Sequence, residues 1–135
     1  MTHPSSDEVR RWVEKAEHDL KNAEHTLQLP DQECPFDTVA FHAQQCAEKS
    51  LKAFLVSHQV DFQKGHDLGQ LLHLCTMAPD LVRELDTIER LNPYAVEARY
   101  PGEWEPIHRA EAQGAVALAR TVYDTVRQRL GQYGS

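Results

Sequence analysis

The chain has 135 residues, of which 41% are hydrophobic and 26% charged, a balance that fits one folded domain and excludes a disordered polymer. Its 14 Lys and Arg against 21 Asp and Glu leave a formal charge of −7, which excludes a broad DNA-coating role because phosphate binding needs clustered cations. Only 7% is aromatic while Ala, Leu, Glu and Gln abound, which favours helix over sheet.

Ser5-Ser6-Asp7-Glu8 reads as a helix start, with Ser5 and Glu8 in the reciprocal capping pattern. Val9, Val13, Ala16, Leu20, Ala23 and Leu27 then recur at spacings of four and three, so one apolar stripe runs along a long first helix. Pro30 and Pro35, in a polar stretch, end it. A second helix is expected from about Phe36 to His58, burying Phe36, Val39, Ala40, Ala43, Ala47, Ser50, Leu51 and Phe54. The small residues in its middle allow a neighbouring helix to come close. Gln63-Lys64-Gly65 marks a turn, and Asp67 can cap a short helix over Leu68, Leu71, Leu72 and Cys75. Pro79 suits the first turn of a fourth helix through Leu81, Leu85, Ile88 and Leu91, which Asn92-Pro93 should stop. Residues 92–106 read as irregular, and a last helix runs from Ile107 to Leu130 with Gly131 as its stop. The expected fold is therefore all-α, an up-and-down bundle of about five helices, three of them long, in one domain spanning 1–135.

Cys34, Cys46 and Cys75 have no C-x-x-C spacing and an odd count, so no zinc site is expected, and Cys46 and Cys75 read as small core hydrophobes. His18 and His25 share a side of the first helix as a solvated pair. No metal or cofactor is expected. The first residues lack the apolar run of a signal peptide, and no stretch reaches the roughly 18–20 apolar residues of a membrane span. The expected location is the cytoplasm, with reduced thiols.

Gly-rich phosphate loops, H-E-x-x-H and G-x-S-x-G are all absent. Two segments remain as candidates. On the second helix, His42, Gln45, Lys49 and Lys52 fall in one band opposite the buried stripe, about 15 Å long, which can meet phosphate or a partner's carboxylates, or simply be a solvated face. In the segment Asn92–Pro101, Arg99 offers a planar fork for phosphate and Tyr94 and Tyr100 can stack on a base. Alternatively the tyrosines seal the end of the bundle and Arg99 pairs with an acid. His66 stands beside the expected cap Asp67.

Several of these residues form a known pattern. Trp12-Val13, Ala16, Asp19-Leu20 and Ala23 begin it, and the run Phe41-His42-Ala43-Gln44-Gln45-Cys46-Ala47-Glu48-Lys49-Ser50-Leu51-Lys52-Ala53 follows. Gly65-His66-Asp67-Leu68, Leu91-Asn92-Pro93-Tyr94 and Ala98-Arg99-Tyr100-Pro101 complete it. In that order they resemble the HEPN domain, named for higher eukaryotes and prokaryotes nucleotide binding, over roughly residues 8–130. The resemblance implies a bundle of about five helices that forms a homodimer. It also implies a small nucleotidyltransferase as partner protein, in a module of the toxin–antitoxin kind, with nucleotide or RNA phosphate as ligand. Arg99, Tyr100, Tyr94, His42, Gln45, Lys49, Lys52 and His66 are the candidate binding residues. Ribonuclease members of the family act without metal through an Arg followed by four to six residues and a His. Here the corresponding pair is Arg99 and His108, with eight residues between them, where Arg would hold the scissile phosphate and His would take the 2′-hydroxyl proton. A metal-independent endoribonuclease and a non-catalytic dimeric adaptor are thus the alternatives to a nucleotide-binding partner of a nucleotidyltransferase.

Overall fold

The structure, a computed structural model, describes residues 4–96, 102 and 105–131. Its elements are α1 (Pro4–Thr26), α2 (Phe36–Ser57), α3 (Leu68–His73), α4 (Pro79–Glu84), a 3-10 helix (Ile88–Ala95) and α5 (Arg109–Leu130). The described residues contain no strand, so the fold is an all-α bundle with three long helices.

Each apolar stripe goes inside. Val9, Val13, Ala16, Leu20 and Ala23 of α1 are buried, as are Ala112, Ala115, Val116, Ala119, Val122, Val126 and Leu130 of α5. Between them lies α2, whose Ala40, Ala43 and Ala47 are fully buried, small enough for the flanking helices to come near. Cys46 Sγ accordingly sits 3.9 Å from the Ala119 carbonyl oxygen of α5. The cross-links give the directions. Arg109 of α5 meets Leu27, the residue just after α1, and Arg120 and Tyr123 meet Glu24 and Glu17 of α1, numbers that fall as α5 advances, so these two helices are antiparallel. Arg109 stacks on Phe36 and Ala119 faces Cys46, so α2 and α5 run the same way. None of the helices is long and apolar enough to cross a membrane, among the described residues.

Three boundaries differ from the expected ones. Pro4 opens α1, which puts Ser5 within the first turn rather than at the cap. Only six residues form α4, and after Thr87 the chain tightens into a 3-10 helix that continues through Asn92-Pro93 to Ala95 instead of stopping there. The buried residues Leu85, Ile88 and Leu91 are spaced by three, the repeat of a 3-10 helix, in which side chains at i and i+3 line up. At the far end α5 begins at Arg109, two residues after the expected Ile107.

Asp67 caps α3 as expected, its Oδ1 accepting from the Gln70 backbone N–H at 3.2 Å. The side chain of Asn92 serves the same turn, its Oδ1 accepting from the Leu68 backbone N–H at 2.9 Å. This bond ties the 3-10 helix to α3.

Candidate functional site

The cationic band of α2 keeps its helical alignment but does not face open solvent. Residues 46–48 and 50–56 of α2 are buried, and the side carrying the band is covered by α1 and by the link from α2 to α3. The expectation of a free stripe opposite the core is therefore corrected: α2 is a central helix with neighbours on more than one side, and its polar groups are matched internally.

Two carboxylates do the matching. Asp19 of α1, 8% exposed, accepts from Lys49 Nζ at 2.6 Å and stands 2.8 Å from His42 Nδ1. Lys49 and His42 are seven apart, two helical turns, and so reach the same acid from above and below. A carboxylate beside Nδ1 favours a proton on that nitrogen. Glu48, 3% exposed, is the second hub. It accepts from Lys52 Nζ at 2.9 Å and sits 2.7 Å from His66 Nδ1, with longer contacts to the amides of Gln44 and Gln45 at 3.4 and 3.5 Å. Lys52 Nζ also lies over the rings of Trp12 and Phe62, 5.3 and 5.4 Å from their centres, which replaces part of the water it has lost. Gln45 donates to Gln44 Oε1 at 2.7 Å. Of these six polar side chains around Glu48 and Asp19, only His66 is largely exposed.

At the other candidate segment, Arg99 and Tyr100 lie outside the described residues, and the described parts flank them. Tyr94 closes the end of the bundle: its hydroxyl donates to Glu111 Oε2 in the first turn of α5, and its ring packs on the core. His108 is the N-cap residue of α5, exposed and making no side-chain cap hydrogen bond. Next to it, Arg109 is fully engaged. Its Nη1 and Nη2 donate to the Leu27 and Leu29 carbonyls at 2.6 and 2.5 Å, its Nε donates to Asp31 at 2.5 Å, and its plane lies 5.0 Å from the Phe36 ring centre. One side chain thus pairs with two carbonyls of the turn that follows α1 and fixes the start of α5 against the start of α2.

Asp19, Glu48 and Arg109 were not among the expected site residues. Glu48 with Lys52 four residues on was a visible helical ion pair, but the spacing does not tell an exposed pair from a buried one. No spacing signals Arg109, whose partners lie about eighty residues away. The thiols take no part: burial pushes Cys46 up to about 12 and Cys75 up to about 11, so both stay protonated near neutrality. Among the described residues no group of three or more His, Cys, Asp or Glu is arranged to hold a metal ion.

Comparison with known proteins agrees with this architecture. The family model described as the HEPN domain matches residues 9–129. The solved structure of TT1696 from Thermus thermophilus is 28% identical, covers 89% of this chain and 96% of its own, and superposes with a TM-score of 0.67. That of ST0689, an archaeal HEPN homologue, is 22% identical over 90% of this chain and 96% of its own, with a TM-score of 0.64. No curated protein matches the chain.

Proposed function

The chain belongs to the HEPN domain family, and on that footing we propose that it works as a homodimer that binds nucleotide or RNA phosphate and partners a small nucleotidyltransferase. HEPN domains are commonly dimeric, which supports the first part. The observation that carries the binding reading is the state of His108. Lys49 and Lys52 spend their charge on internal acids, whereas His108 stands exposed at the uncapped N-terminus of the 22-residue α5, nine residues after Arg99. The first N–H groups of a helix and its dipole favour an anion there, and Arg99 can supply the bidentate fork. Tyr100 offers a face for a base, and His66 is a second exposed imidazole.

Binding is tested by following the His108 imidazole resonances while ATP, GTP or a short RNA is added in chelator. A saturable shift at His108, absent in Arg99→Ala, is the expected result, and light scattering should give twice the chain mass. No shift with any of the three ligands, or a monomer, overturns the reading. The nucleotidyltransferase partner is tested by co-purification from the native source. If the chain is instead a metal-independent ribonuclease, RNA is cut in the same samples and His108→Ala stops it.

A further inference from the structure

We propose that residues 61–66, in the link from α2 to α3, form a strap that opens as one unit, and that Gln44, Glu48 and Lys52 are its latch. The strap has fixed ends and a loose middle. At one end the Val60 backbone N–H donates to the Leu55 carbonyl at 2.9 Å, closing α2, and at the other Asp67 caps α3. Between these ends no backbone N–H of residues 61–66 donates to a backbone carbonyl, among the described residues. Phe62 is half-buried and the other five residues are exposed, so the strap has no buried residue of its own.

What holds the middle is a line of side chains on α2. Gln44, Glu48 and Lys52 are spaced by four, so they stand one above another along the helix. Each reaches the strap. Gln44 Nε2 donates to the His66 carbonyl at 3.1 Å, Glu48 Oε1 lies 2.7 Å from His66 Nδ1, and Lys52 Nζ donates to the Gly65 carbonyl at 3.5 Å. Phe62 adds an apolar hold, its ring edge-to-face on Trp12 with centres 6.1 Å apart. The three latch residues are buried, whereas the segment tied to them is not.

That mismatch keeps the cost of opening low. Local opening costs the apolar contacts and hydrogen bonds that the segment loses, and here these are one aromatic ring and three side-chain bonds. In return Glu48 and Lys52 regain water, which a buried ion pair forgoes. The other buried acid has no such exit. Asp19 meets Lys49 at the seam of α1 and α2, two helices whose apolar stripes form the core, so that pair stays enclosed unless the bundle itself loosens. The strap therefore controls whether one ion pair of α2, and not the other, meets solvent.

Acetylation of lysine amines tests this on the full chain, read residue by residue by mass spectrometry at fixed pH and low label occupancy. Lys21, on the surface of α1, sets the rate for an open amine, and Lys49 reports any loosening of the bundle. In wild type Lys52 should label far more slowly than Lys21, because it reacts only through the open strap. His66→Ala removes one latch bond and Phe62→Ala removes the aromatic hold. Each should raise the Lys52 rate roughly fivefold or more and leave Lys49 at its wild-type rate. Equal rates for Lys52 and Lys21 in wild type overturn the proposal. So does an unchanged Lys52 rate in either variant, or a Lys49 rate that rises in step with that of Lys52.

Discussion

Lys52 shows at the scale of one residue how this acidic chain uses its cations. Its side chain is 9% exposed and that of Glu48 is 4% exposed, so neither charge is offset by water. Removing one partner of such a pair leaves an uncompensated buried charge, at a cost of about 3–5 kcal/mol. Glu48→Ala should lose that much stability in urea unfolding, and Glu48→Leu with Lys52→Met together should lose far less. A loss under about 1 kcal/mol in the single variant would mean that Lys52 finds water after all. A second chain of contacts, Arg127 to Tyr123 to Glu17, sets a pH dependence. Burial alone would raise the Glu17 carboxyl, but the Tyr123 hydroxyl and the charges of Lys21 and Arg127 outweigh it and hold it below its usual 4.5. Burial, the main cause, lifts the Tyr123 phenol above its usual 10. The folded chain therefore holds the Glu17 proton less tightly and the Tyr123 proton more tightly than the unfolded chain does. Their contribution is present between those two ordinary values, lost as pH falls through the folded value of Glu17, and lost as pH rises from 10 through that of Tyr123. Thermal melting against pH should show both limbs in wild type, and Tyr123→Phe should flatten the alkaline one.

Among elements, the start of α5 depends most on a single side chain. Arg109 bonds two carbonyls and an acid in the α1–α2 link, and stacks on the first residue of α2. Arg109→Ala should speed hydrogen exchange in the first turn of α5 and around residues 27–34 while leaving the middle of α2 protected. Uniform exchange across all three helices would show that no local clamp exists. The long elements were legible in the sequence because Val9 to Leu27 and Val39 to Phe54 repeat at helical spacing, and each buries the face that its pattern marks. The band from His42 to Lys52 was legible as an alignment but not as an environment. A single helix carries no signal for which neighbour covers its polar side, and the covering acid Asp19 lies in another helix. Leu85, Ile88 and Leu91 did carry the three-residue repeat of the 3-10 segment, a signal that the helical reading of residues 79–91 absorbed. Of the candidate site, the sequence reading put His108 inside a helix starting at Ile107 and Tyr94 in an irregular stretch, whereas His108 is the N-cap of α5 and Tyr94 belongs to the 3-10 helix. The capture of Tyr94 by Glu111 was not legible, since it depends on how the 3-10 helix packs.

For the whole molecule, a net charge of −7 repels nucleic acid at long range, so the phosphate binding proposed for it would have to come from a few close contacts. Affinity for RNA should then fall only gently with added salt, with a slope matching one or two neutralised phosphates rather than a coated backbone. A slope of six or more would point to an extended basic surface instead. The most direct measurement is a calorimetric titration of a short RNA, in chelator, into wild type and Arg99→Ala at equal protein concentration. Saturable binding to the wild-type protein, weakened roughly tenfold to a hundredfold in Arg99→Ala with the melting temperature unchanged, is what a guanidinium-held phosphate requires. Equal affinities, or no binding to either protein, would contradict it.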